Sequence, residues 1–243
     1  MPDADVKSFF EVHAHDYLMT PEFYSSIVRK ISPEIPDKTN LKLLDVGCGS
    51  GNFIKSLNES GIQADFIATD LSLQMINIAK KNLQSGDIGL LVADAFNMPL
   101  KRDTRFDIIH IAFLLHHLIA KTRAKSMALI VRLISLLIDK LANNGVLLIE
   151  EVYYNSYIIP CFTASFIFYM LKLLRIFRMD LSGISTKLKT GLEVNFLNEK
   201  LVEDTLSKFG TLHLIDKNPW KVPKSYAVFL LRDFGNITYM IKK

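Results

Sequence analysis

A short apolar run that empties into three alternate glycines constrains this chain more than any other feature: Leu43-Leu44-Asp45-Val46-Gly47-Cys48-Gly49-Ser50-Gly51-Asn52, with a helix-like pattern straight afterwards. Strand, tight loop and helix in that order form a cradle for a ligand. A side chain at the glycine positions would hold a ligand off the backbone, and some turn positions need φ > 0, which glycine adopts cheaply. Spacing narrows the ligand. A dinucleotide fingerprint, G-x-G-x-x-G, would put its third glycine at Asn52, but here it comes one residue early, at Gly51. That spacing disfavours an NAD-linked oxidoreductase.

The rest of the chain alternates strand-like and helix-like segments. Residues 41–46 read as a first strand, followed by a helix from Asn52 to Ser60 that Gly61 stops. A second strand, Asp65 to Thr69, ends at Asp70, and Ser72 is the N-cap of a helix through Leu83 that Ser85-Gly86 closes. Ile88 to Ala93, Phe106 to Ala112 and Val146 to Glu150 read as three more strands, with a long helix from Thr122 to Leu141 before Asn143-Asn144-Gly145. A helix from Asn198 to Phe209 ends at Gly210, and strands Thr211 to Ile215 and Ser225 to Leu231 finish the chain as an antiparallel return. Such alternation predicts parallel crossovers and a twisted sheet covered by helices on both faces.

Composition limits the classes open to this fold. The 243 residues suit one α/β domain with additions. A net charge of +4, with basic residues scattered outside one cluster in the second half, gives no reason to expect nucleic acid. Cys48 and Cys161 are the only cysteines, too few for a disulfide scaffold or a zinc site, so no metal is expected. The N-terminus is acidic and polar and lacks the basic and apolar regions of a signal peptide, which makes cytoplasmic residence the expectation. Mean hydropathy is +0.21, high for a soluble enzyme, so some apolar surface should face something other than an ordinary core.

The acidic residue and G-x-G-x-G of the loop, with Asp70 in "FIATDLS", Asp94-Ala95 in "LVADAFNMPL" and "FDIIHIAFLLHHL" from Phe106 to Leu118, resemble class I S-adenosylmethionine (SAM)-dependent methyltransferases. The resemblance implies a Rossmann-like, seven-stranded, mostly parallel sheet, and S-adenosyl-L-methionine as cofactor. By matching position it places the methionine part of SAM on Gly47, Gly49 and Gly51, the ribose on Asp70 and the adenine on Asp94; Asp45, Cys48, Leu71, Ala95, Ile111 and Ala112 are expected at the same cofactor site. The chemistry agrees: a carboxylate only accepts hydrogen bonds, so Asp70 suits a vicinal diol, and Asp94 suits an exocyclic amine. "FFEVHAHDYLMTPEFY" is similar to the F-D-x-x-A-x-x-Y-D segment of methyltransferases acting on small molecules and quinone precursors, through Phe10, Ala14 and Tyr17, with Leu18 where that family has Asp. Tyr17 is then a lid contact on the cofactor.

Methyl transfer from a sulfonium chiefly needs nucleophile and methyl held in line, so a base is optional. His117 and His116, after the fourth strand, and His13 and His15, near the N-terminus, are the candidates for one, while His110 reads as a core histidine. DNA amino-methyltransferases carry [DN]-P-P-[YFW] where this chain has His110-Ile111-Ala112-Phe113, and Pro160-Cys161 stands in an apolar run with no supporting acid.

Val152 to Leu171 carries no charged residue, and basic residues follow at Lys172, Arg175 and Arg178. Its polar residues and the need to return to the sheet argue against a spanning helix. An apolar helical insertion after strand five is expected, and for segment 152–179 the roles of pocket wall, peripheral membrane contact on the inner face, and homodimer contact stay open. The chain thus divides into a helical lid segment (1–40), a SAM-binding core (41–151), the insertion (152–195) and the end of the sheet (196–243). Organisation of this kind resembles the ubiquinone and menaquinone methyltransferases, which implies methyl transfer to carbon or oxygen of a small hydrophobic acceptor. A protein or RNA acceptor, or a silent SAM-binding module, is the alternative.

Overall fold

The computed structural model describes residues 3–14, 21–35, 40–83, 88–176, 193–222 and 230–243. Strands β1 (Leu41–Val46), β2 (Ala64–Asp70), β3 (Gly89–Val92), β4 (Phe106–Ala112), β5 (Leu141–Ser156), β6 (Thr211–Pro219) and β7 (Leu231–Lys242) form one sheet in the order β3-β2-β1-β4-β5-β7-β6. The first five run parallel, and β7 lies antiparallel between β5 and β6. The chain order reverses on either side of β1, so the carboxyl ends of β1, β2 and β4 flank one crevice, the usual ligand position in open α/β sheets.

Period-two alternation gives the sheet two apolar faces. Leu43, Ile108, Val146 and Leu148 pack with helices α2 (Pro21–Ile31), α3 (Asn52–Glu59) and α4 (Leu73–Leu83). Leu44, Ile109, Leu147 and Ile149 pack on the opposite face with α5 (Arg123–Asp139) and the C-terminal helix Glu199–Leu206. Caps set the helix starts. Ser72 Oγ accepts from Met75 N at 3.2 Å, Thr122 Oγ1 from Lys125 N at 3.3 Å, and Asn198 Oδ1 from Leu201 N at 3.0 Å.

Several boundaries differ from the sequence reading: β5 starts at Leu141, so Asn143-Asn144-Gly145 lies inside it, and β6 runs to Pro219. The fifth strand runs on to Ser156 instead of stopping at Glu150, because Val152 to Asn155 pair with β7 as far as Asp233. An uncharged run carries no period to separate strand from helix. The last strand begins at Leu231, where the expected one ended, and residues 225–229 of that expectation lie outside the described residues. The apolar insertion is helical from Phe162 to Ile176 (α6). Thr163, Ala164 and Phe168 turn inward, whereas Phe162, Phe166, Tyr169, Leu173 and Ile176 face solvent. Among the described residues no helix is long and apolar enough to cross a membrane.

Candidate active site

The glycine loop is held from both sides. Gly47 N and Cys48 N donate to Thr69 O at 2.7 and 2.9 Å, and Gly49 N donates to Asp70 Oδ2 at 2.9 Å. The other Asp70 oxygen accepts from Ser72 N at 2.9 Å, so one carboxylate joins the loop to the start of α4. Burial raises the Asp70 pKa, and the Ser72 and Gly49 N–H groups oppose that shift. Gly47, Gly49 and Gly51 all have positive φ, at 72°, 52° and 77°. Their surroundings differ. A Cβ on Gly47 would meet Leu114 Cδ1 at 2.7 Å and one on Gly51 would meet Leu83 Cδ1 at 2.9 Å, but one on Gly49 would meet nothing within 4 Å. Gly49 therefore faces open space, as a backbone that receives a ligand must.

Neighbouring strand ends complete the rim. Ala93 N donates to Asp70 O at 2.9 Å, which brings Asp94 beside the end of β2; Asp94 Oδ1 accepts from Phe96 N at 2.8 Å in a tight turn. Ala95 and Leu71 are half-buried, and Cys48 keeps its proton because burial pushes the thiol pKa well up. Ile111 is buried in the core cluster, so its side chain cannot line the crevice, whereas Ala112 is half-buried at the strand end. Phe113 follows at φ 51°, a strained value for an aromatic residue, with its N–H donated to Glu150 O at 2.8 Å.

The tight turn Leu115–His117 sits against the loop through Leu114. His116 is buried, its Nδ1–H donates to Glu151 Oε1 at 2.6 Å, and its backbone N–H donates to Glu151 Oε2 at 3.1 Å. His117 lies 4.1 Å away, ring to ring, and meets Phe10 edge-on at 5.2 Å. Its Nδ1 is buried with no partner among the described residues, and burial, helped by His116, holds its pKa well below 6.5. Phe10 belongs to α1 (Asp3–His13), which also reaches α4, where Glu11 Oε1 accepts from Leu73 N at 2.8 Å. The N-terminal helix thus bridges the two sides of the rim. His13 stacks on Phe9 at 4.8 Å, while His15 and Tyr17 lie outside the described residues.

Three buried groups were not assigned to the site from the sequence. His110 bonds Asp45 Oδ1 through Nδ1 at 2.7 Å and Glu150 Oε1 through Nε2 at 3.2 Å. Glu151 accepts from His116. Alternation alone puts Asp45, His110 and Glu150 on one face, in phase with Leu43, Ile108 and Leu148; only strand register brings them into contact.

Residues 43–135 match a family profile described as a methyltransferase domain. Those residues are similar to methyltransferase domains. An uncharacterized protein of Haemophilus influenzae is 29% identical over 159 residues, 60% of this chain and 56% of that protein. A demethylmenaquinone methyltransferase of Thermotoga maritima is 31% identical over 87 residues, 36% of this chain and 34% of that enzyme. The matched region therefore spans about a third to just over half of these curated relatives. The solved structure of the plantazolicin methyltransferase BpumL in complex with S-adenosylhomocysteine (SAH) superposes with a TM-score of 0.60 at 16% identity, covering 100% of this chain and 95% of that one. Identity that low speaks for the fold. The matched stretch runs from within β1 to most of α5, and the β5 to β7 part of the sheet lies beyond it.

Proposed function

We propose that the chain binds SAM in the crevice at Gly49 and transfers its methyl group to carbon or oxygen of a small hydrophobic acceptor. The observation that carries this reading is the pinned but open loop: Asp70 holds Gly49 N–H while, among the described residues, a Cβ on Gly49 would meet no atom within 4 Å. When bound, SAM supplies a methyl on a cationic sulfur and leaves as a neutral thioether. Asp45, whose Oδ2 is buried without a partner among the described residues, supplies an acceptor for a donor of the ligand near the loop. Asp70 retains acceptor capacity for hydroxyls beyond its two backbone bonds, since a carboxylate has about four acceptor positions.

His117 suits a hydroxyl acceptor. A neutral imidazole with an unpartnered nitrogen can accept a hydrogen bond from the nucleophile and orient it, and a depressed pKa favours sharing the proton over taking it outright. Phe10, Phe113, Tyr154 and Phe196 supply apolar walls around that turn. The solvent-facing strip of α6 is where this reading puts contact with a membrane that delivers the acceptor.

Isothermal titration with SAM and SAH, followed by turnover on a panel of phenols, quinols and isoprenoid quinones, tests the proposal. Micromolar SAM binding with methylation of one of these acceptors supports it. Folded protein that fails to bind SAM overturns it, and turnover only on peptide or RNA moves the acceptor to that alternative class.

A further inference from the structure

We infer that His110 is a positioning residue that staples the glycine loop at both ends. The loop leaves β1 just after Asp45 and enters α3 just before Phe53. His110 reaches both: its Nδ1 lies 2.7 Å from Asp45 Oδ1, and its ring stacks on Phe53 with centroids 3.6 Å apart and planes at 20°. Glu150, from β5, grips the other ring nitrogen at 3.2 Å, and Tyr24 of α2 closes the cage edge-on at 6.1 Å. His110 is 1% exposed, as are Asp45 and Glu150, so the imidazole itself is shut off from solvent and substrate.

A side chain that buried, bonded to acids from the strands on either side of its own, acts through what it holds. Asp45 Oδ2 has no partner among the described residues, so the bond to Oδ1 decides where the free oxygen points. Stacking on Phe53 sets the first turn of α3, whose N-cap is Gly51. Just past the end of β4, Leu114 lies against Gly47 between these anchors. The imidazole therefore defines the path of the backbone that meets the ligand, with no part in the chemistry.

The test compares wild type with His110→Phe, which keeps the stack and loses the bonds, His110→Gln, which loses the stack, and Glu150→Gln. Hydrogen exchange of the ligand-free proteins should show amides of residues 47–53 exchanging about tenfold faster in the His110 variants while α5 amides stay as in wild type. This arm stands apart from the proposed cofactor; a second arm, SAM affinity by titration, rests on it and should weaken by a similar factor. Unchanged loop exchange and unchanged affinity in folded variants would falsify the inference. Faster exchange with no SAM binding even in wild type would uphold the staple and sink the cofactor reading. If the His110 variants do not fold, Phe53→Leu, which keeps an apolar side chain and removes the stack, should loosen the same amides, and its failure to do so overturns the inference.

Discussion

Gly49 donates its backbone N–H to Asp70 Oδ2 at 2.9 Å, joining the middle of the glycine loop to the end of β2 across 21 residues of sequence. The same carboxylate takes Ser72 N–H, so one side chain orders the loop and the next helix start. Asp70→Asn removes the charge and one acceptor and leaves the size unchanged. Stability should fall by about 1.5–3 kcal/mol, the worth of a hydrogen bond to a charged group, while SAM affinity drops more than tenfold. Urea unfolding beside calorimetric titration separates the two effects, and unchanged affinity would remove Asp70 from the ligand site.

Gly49 and Gly51 should respond oppositely to alanine. Both have positive φ, which alone costs an alanine about 1 kcal/mol. Gly49→Ala adds a methyl that touches no protein atom, whereas Gly51→Ala drives one into Leu83 at 2.9 Å and Ala79 at 3.3 Å. Gly51→Ala should therefore lose the more stability, and Gly49→Ala the more SAM binding per unit of stability lost. Melting temperatures and titrations on the two proteins would show it.

His110 is held at a pKa of about 9: burial would lower it, and Asp45 followed by Glu150 outweighs that. A histidine raised in the folded state stabilises fully below its unfolded pKa of about 6.5, and the gain is lost as pH rises through the folded value. Wild-type stability should decline between pH 7 and 10, by up to about 3 kcal/mol from this group. The difference in urea midpoint between wild type and His110→Gln should shrink over that window; a constant difference contradicts the assignment.

His117 has the opposite sign. Its folded pKa is depressed by burial and by His116, so the unfolded chain takes up the proton first and acid below pH 6.5 favours unfolding. His117→Leu should flatten the stability profile on the acid side. The same variant should cost about ten- to a hundredfold in turnover of a hydroxyl acceptor, with little change in SAM affinity. A loss confined to SAM binding would place His117 on the cofactor instead.

Phe113 offers a backbone test. At φ 51° an alanine is strained and a glycine is not, so Phe113→Gly should be more stable than Phe113→Ala by about 1 kcal/mol, the reverse of the usual order. Both should raise KM for an apolar acceptor. Alanine more stable than glycine would show that the variants abandon this conformation.

Much of the geometry of the glycine loop and the strand ends was legible because its determinants are local. The glycine spacing, Asp70 two residues before the Ser72 cap, and the Asp94 turn each lie within one loop. The packing around the turn after β4 was less legible. Tyr154 and Phe196 stack at 4.1 Å from segments 42 residues apart, and no periodicity links them. The uncharged run after Glu151 hid where strand gives way to helix, since neither period has contrast in an apolar stretch.

Sequence alone determined the parallel sheet, the loop and the residues at the carboxyl ends of its strands, because strand alternation and turn chemistry act over a few neighbouring residues. Register between strands was decided only by the tertiary structure. Asp45 stands opposite His110, and Ala112, two residues on, stands opposite Glu150, so three polar residues, each reading alone as a strand position, become one buried array. Close packing likewise made His116 the partner of Glu151 and left His117 neutral, a distinction between adjacent identical residues that burial and partners create.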